Sequence, residues 1–171
     1  MSGKRALDYN TPYRPEPRPK NHKHIVMFSG GLGSWRAAKR VAAEYGTANL
    51  VLLFADTRME DPDLYRFLHE AAADVGGELV VIAEGRTPWE VFTDVRFLGN
   101  SRVDPCSRVL KREVLRKWLT ENTEPVHTTI YLGIGHDEAH RFENAAKNHA
   151  PWAVRAPLCE DQSIPLSINA A

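Results

Sequence analysis

Cysteine is scarce in this chain of 171 residues. Cys106 and Cys159 are its only two, too few for a disulfide framework or a four-cysteine zinc site. Long hydrophobic runs are missing as well. The longest clearly apolar stretch, Leu50 to Ala55, has six residues, against the roughly 20 that a membrane-crossing helix needs, so no membrane partner is expected. Residues 1–24 carry charges but no apolar segment before a small-residue cleavage site, so no secretory signal is read there. The expected compartment is cytoplasmic, with both thiols reduced. Charge of one sign is also lacking: 22 basic and 22 acidic residues leave no global field that advertises a polyanionic partner. What is present, 43% apolar and 26% charged residues, is ordinary globular composition and excludes wholesale disorder.

The even balance hides two local excesses. Residues 1–24 hold Lys4, Arg5, Arg14, Arg18, Lys20 and Lys23 against Asp8 and Glu16, a net of +4. Pro12, Pro15, Pro17 and Pro19 share that stretch, which reads as an extended basic arm or a solvated tail. Residues 101–118 hold Arg102, Arg108, Lys111, Arg112, Arg116 and Lys117 against Asp104 and Glu113, again +4. This second cluster lies inside the regular part of the chain.

Regular patterning begins at Ile25. Ile25–Phe28, Leu50–Ala55, Leu79–Ala83 and Thr128–Leu132 are short apolar runs of the kind buried on both faces of a sheet. Between them, Ser34–Tyr45 has helical spacing and stops at Gly46. Asp61-Pro62 opens a helix that buries Leu64, Phe67, Leu68, Ala71, Ala72 and Val75. Thr87-Pro88-Trp89-Glu90 has the capping-box spacing. Asp104-Pro105 predicts a helix burying Leu110, Val114 and Trp118, and Glu138–Asn148 a last one. Strand and helix alternate without hairpin signals, which predicts an α/β fold: a Rossmann-like parallel sheet with helices on both faces. The expected organisation is the arm, 1–24, a nucleotide-binding domain, 25–160, and a short C-terminal tail, 161–171, with a truncated substrate-binding extension as its other reading. Trp35, Trp89, Trp118 and Trp152 are expected in the core or at subunit contacts, with a homo-oligomer among the expected partners.

Ligands of such sheets bind at the carboxyl ends of the strands. After the first strand comes Ser29-Gly30-Gly31-Leu32-Gly33-Ser34, followed directly by a helix. Glycines let several backbone N–H groups converge, the helix N-terminus adds partial positive charge, and two serines add hydroxyls, which together suit a phosphate or pyrophosphate. The other reading is a tight turn chosen for packing. No Gly-Lys-Ser/Thr follows, so it is not the lysine P-loop.

This loop resembles the SGGxDS loop of the PP-loop ATP pyrophosphatases, the adenine nucleotide alpha hydrolase superfamily. Phe54-Ala55-Asp56-Thr57, Asp104-Pro105-Cys106-Ser107-Arg108 with Lys111, and Gly133-Ile134-Gly135-His136-Asp137-Glu138 with Arg141 resemble segments of its phosphoadenosine-phosphosulfate (PAPS) reductase-like branch. Thr87-Pro88-Trp89-Glu90 and Ala156-Pro157-Leu158 are similar to the small phage and prophage members of that branch. The resemblance covers roughly Ile25 to Glu160. Gly33 stands where that family has an aspartate, and the chain has no CxxC pair.

Ser29, Gly30, Gly31, Gly33 and Ser34 are the expected phosphate cradle. Asp56, a hard carboxylate at a strand end, is the candidate Mg²⁺ or ribose contact, or else caps its own loop. The resemblance implies adenine against the backbone at Phe54 and Ala55, with Thr57 adding a hydroxyl. Arg102, Arg108 and Lys111 are candidate anion ligands, with Arg108 and Lys111 on one helical face, or members of a solvated basic face. Asp137, Glu138 and Arg141 are expected at the nucleotide pocket, with Arg141 at the α-phosphate, unless an acidic–Arg141 pair only fixes the helix. Cys106 is read as packing in a first helical turn rather than as a nucleophile. His136 and His140 are four apart but lack the glutamate that a zinc protease places after its first histidine.

The resemblance thus implies ATP and Mg²⁺ as cofactors and cleavage of ATP at the α–β bond. Pyrophosphate would be released as AMP is transferred to an acceptor, a small molecule or nucleic acid, with Ser34, Arg108, Lys111 and Arg141 as the catalytic set. Alternatives are a PAPS or APS reductase-like enzyme and a catalytically silent nucleotide- or nucleic-acid-binding module.

Overall fold

The computed structural model describes Pro19, residues 21–96 and residues 107–160. The arm up to Arg18, Arg102, Asp104, Cys106 and the tail 161–171 lie outside the described residues. Five strands, β1 (Lys23–Met27), β2 (Leu50–Asp56), β3 (Glu78–Ala83), β4 (Thr128–Tyr131) and β5 (Ala153–Arg155), form one parallel sheet in the order β3-β2-β1-β4-β5. Every pairing is parallel, with Ile25 opposite both Val51 and Ile130. The helices are α1 (Leu32–Tyr45), α2 (Pro62–Val75), α3 (Pro88–Val95), α4 (Val114–Asn122) and α5 (Phe142–Asn148). The Rossmann-like α/β fold predicted from the alternation is the fold observed.

Alternating side chains of the central strands feed two cores. Val26, Phe28, Leu50, Leu52 and Phe54 pack against Ala38 and Val41 of α1 and Leu68, Ala71, Ala72 and Val75 of α2. Ile25, Val51, Leu53, Ile130 and Leu132 pack against Leu119 of α4 and Trp152, with Leu115, Trp118 and Ala145 alongside. Helices therefore cover both faces, which is why β2 reads as a continuous apolar run.

Local capping sets the helix starts. The Asp61 side chain accepts from the Asp63 amide at 2.8 Å, with Pro62 in the first turn. Thr87 and Glu90 form the reciprocal capping box. Such caps contribute about 1 kcal/mol each.

Several boundaries differ from expectation. β1 starts at Lys23, inside the stretch read as arm, because His22 and His24 are buried and hydrogen-bonded to Thr129 and Tyr131 of β4. β5 was not predicted. The last helix divides into a 3₁₀ segment, His136–Arg141, and α5. The basic stretch is π-helical over Ser107–Glu113 before α4 begins. Leu110 is buried as expected, whereas Leu119 rather than Val114 or Trp118 is the fully buried residue of α4.

Candidate functional site

β1 is flanked by β2 on one side and β4 on the other, so the chain winds outward in both directions from this pair. The crevice between the carboxyl ends of β1 and β4 is the topological switch point of the sheet, where ligands of open α/β sheets bind. A cleft of about 420 Å³ opens there. The glycine-serine loop and the start of α1 line it, with Leu132–Ile134 after β4 and with Glu138, Arg141, Ala145 and His149.

Ser34 holds the loop in shape. Its buried Oγ donates to the Gly31 carbonyl at 2.8 Å and lies 3.2 Å from the Ser29 amide, which donates to it, and 3.3 Å from the Ser29 hydroxyl. The hydroxyl expected to touch phosphate is therefore committed within the loop. The first intrahelical bond runs from the Trp35 amide to the Gly31 carbonyl, so the amides of Leu32, Gly33 and Ser34 precede the hydrogen-bonded ladder. No side chain caps them from Gly31. These are the donors that a helix N-terminus presents to an anion.

Glycine is required at three points here. Gly30 has φ +74°, and a Cβ on it would lie 2.8 Å from the Leu64 side chain of α2. Gly33 and Gly133 meet backbone to backbone. A Cβ at 33 would come 2.8 Å from the Gly133 carbonyl oxygen, and one at 133 would come 2.6 Å from the Ser34 nitrogen. The loop position that carries an aspartate in the resembling family is thus a packing contact here. That contact joins the first loop to the loop after β4, a juxtaposition of residues one hundred positions apart that was not expected.

A second polar cluster stands at the end of β2. Asp56 Oδ1 accepts from the Tyr65 hydroxyl at 2.6 Å and from the Arg58 amide at 2.7 Å. The bond to Asp56 is the main cause that raises the Tyr65 phenol above its ordinary range, with burial adding to it. Arg58 adopts φ +61°, an uncommon conformation for a residue with a side chain. Thr57 donates to Glu60 at 3.0 Å, and Lys111 reaches the same carboxylate at 3.2 Å. Asp56 therefore does cap its own loop, yet both bonds fall on Oδ1. Oδ2 accepts no bond among the described residues. Among the described residues no group of three or more His, Cys, Asp and Glu side chains gathers as an all-protein metal centre.

Of the expected site residues, the cleft brings together Ser29, Gly33, Ser34, Glu138 and Arg141. The rest stand apart. The Phe54 side chain is in the core at 2% exposure, which leaves only its backbone for the adenine contact that the resemblance implies. Arg108 and Lys111 do not work as a pair. The π winding sets Arg108 against Glu113 at 3.4 Å, while Lys111 turns to Glu60. Asp137 is exposed beside the cleft rather than in its lining. Arg141 lines the cleft and is also ion-paired with Glu138, so the pocket reading and the helix-fixing reading hold together. Tyr65, Glu60 and His149 were not singled out from sequence. No local signal marks Tyr65, and His149, although it directly follows the predicted helix Glu138–Asn148, carries no motif of its own.

No protein-family model matches the chain, and no curated protein is significantly similar to it.

Proposed function

We propose that the chain binds ATP at the switch-point cleft and cleaves it between the α and β phosphates, in the manner of the PAPS reductase-like PP-loop enzymes. The observation that supports this best is the coincidence of three features in one cleft: the uncapped amides of α1, the glycine turn before them, and Arg141 opposite. The amides would hold the β,γ-pyrophosphate, and Arg141 would meet the α-phosphate with charge-assisted hydrogen bonds. Asp56 would supply one oxygen to Mg²⁺, which neutralises phosphate charge when bound. Lys111 would act from the β2 end through its contact with Glu60. This chemistry needs positioning and charge compensation more than a protein nucleophile.

The test is thermal stabilisation by Mg-ATP, AMP and PAPS, with product analysis. ATP at 100 times its dissociation constant adds about 2.7 kcal/mol, a rise on the order of 5–11 °C for a domain of this size. AMP and pyrophosphate as products support the reading; ADP and phosphate sink it.

One observation favours a second reading, a nucleotide-binding module without turnover. Gly33 contributes no carboxylate at the phosphate loop, and a Cβ there would lie 2.8 Å from the Gly133 carbonyl oxygen. A thermal shift with ATP and no AMP formed over many protein equivalents selects that reading.

A further inference from the structure

The two walls of the cleft belong to opposite faces of the sheet. The start of α1 comes from the face that α1 and α2 cover. Arg141, Ala145 and His149 come from the other, where Ala145 packs. In the proposed reading, a nucleotide whose pyrophosphate rests on α1 would present its α-phosphorus toward this second wall, where Arg141 stands. An in-line nucleophile must enter from there, opposite the leaving group.

The polar side chains of the cleft are committed to different degrees. Ser29 and Ser34 bond to each other, and Glu138 is paired with Arg141. His149, the residue that ends α5, has Nδ1 at 2.8 Å from the Ala145 carbonyl oxygen. A carbonyl only accepts, so Nδ1 carries hydrogen and the neutral ring has its lone pair on Nε2. Among the described lining residues, His149 is the titratable side chain that no ion pair engages. Glu138 and Arg141 of the 3₁₀ segment line the same cleft, and Arg116 of α4 donates to the Asn148 carbonyl at 3.3 Å. Met27, Leu132, Ile134 and Ala145 supply the apolar lining.

We propose that Nε2 of His149 takes the proton from the nucleophile that attacks the α-phosphorus, a role that rests on the ATP-cleaving reading above. With water as the nucleophile, one O–H proton passes to Nε2 and the water oxygen bonds to the α-phosphorus. The bridging bond to the β-phosphate oxygen breaks, and pyrophosphate leaves with that electron pair, giving AMP. An acceptor hydroxyl follows the same course and retains the AMP.

The experiment follows AMP and pyrophosphate release from Mg-ATP by the full chain and by His149→Asn and His149→Ala. Asparagine keeps a donor for the Ala145 carbonyl and lacks the distal nitrogen. Both variants are expected to keep the wild-type KM and thermal shift with ATP while kcat falls about 100-fold or more. Added imidazole is expected to restore part of the rate to His149→Ala, which a purely structural role does not allow. His149→Asn turning over at the wild-type rate overturns the proton role and leaves the AMP-forming reading intact. Loss of the ATP shift in His149→Asn assigns the ring to binding and also overturns it. Wild-type protein that binds ATP and forms no AMP overturns both.

Discussion

The carboxyl ends of β1 and β2 are neighbours in one sheet, yet they carry polarity in different ways. At β1 the hydroxyls of Ser29 and Ser34 are turned on each other and on the Gly31 carbonyl, and what faces outward is backbone N–H. At β2 the side chains face one another: Tyr65 on Asp56, Thr57 and Lys111 on Glu60. Backbone donors at a helix N-terminus cannot be neutralised by a rotamer change, so under the proposed function the first end would serve as a fixed anion site. The second end is a set of carboxylates held by removable partners, suited to a cation that competes for them. A nucleotide–magnesium complex needs both, side by side.

The sharpest way to break the first end is at Gly133. A methyl group there meets the Ser34 nitrogen, the Gly33 carbonyl carbon and the Ser34 Cα at 2.6–2.8 Å. All three atoms are backbone, so nothing can swing away. Gly133→Ala is expected to cost about 3 kcal/mol, lowering Tm by roughly 6–12 °C in calorimetry, and to abolish stabilisation by ATP. Gly33→Asp makes one close approach through its Cβ, to the Gly133 carbonyl oxygen at 2.8 Å. Its expected cost is about 1–2 kcal/mol, even though it restores the residue of the resembling family. A Gly33→Asp protein as stable as wild type would mean that the two loops are free to separate.

Ser34→Ala comes next. It removes the donor to Gly31 and the acceptor for the Ser29 amide, for about 2 kcal/mol of stability. Because the hydroxyl shapes the loop, the ATP shift should vanish. Retention of the full shift would show that the amides hold their positions without it.

What was readable beforehand follows from where the causes lie. β2 declares itself because both faces are covered, and α2 and α3 because Asp61-Pro62 and Thr87-Pro88 carry their own caps. That the glycine loop lies at a strand's carboxyl end follows from the strand–helix alternation; the strand order that makes it the switch point does not. The unread parts depend on distant partners. His24 reads as arm until Tyr131, 107 residues on, bonds it at 2.8 Å. β5 is three residues long, too short for any period. The π winding that separates Arg108 from Lys111 has no sequence period of its own, so their spacing of three implied a shared face they do not have.

At the β2 end the effects are smaller. Tyr65→Phe removes one hydrogen bond to a part-exposed carboxylate, for no more than about 1 kcal/mol. The bond also has a pH signature. Because the Tyr65 phenol is raised in the folded state, chiefly by its bond to Asp56, its stabilisation is complete below the unfolded value of 10.0. It is lost as pH rises through the higher folded value. Stability of wild type and Tyr65→Phe should therefore converge in strongly alkaline solution, measured by urea unfolding. A constant gap across that range would remove Asp56 as the partner that matters. If Asp56 also meets Mg²⁺, the gap at neutral pH should change when Mg-ATP is added.

The smallest expected effect tests whether thiol chemistry belongs to the cleft at all. Cys159 lies behind its wall, with Sγ donating to the carbonyl of Ile134 at 3.2 Å, and Ile134 lines the cleft. Burial first, then the negative charge of Glu160 and Asp137, pushes this thiol above its ordinary range. The thiolate is the reactive form, so Cys159 should alkylate more slowly at neutral pH than an unstructured cysteine. Cys159→Ser keeps a donor for the Ile134 carbonyl and should leave the ATP shift and AMP release unchanged. A reductase that uses this sulfur predicts the opposite on both counts: fast alkylation, and loss of turnover with PAPS when serine replaces it. The two outcomes separate because burial and the negative charge of Glu160 and Asp137 push the thiol away from the thiolate that thiol–disulfide chemistry requires.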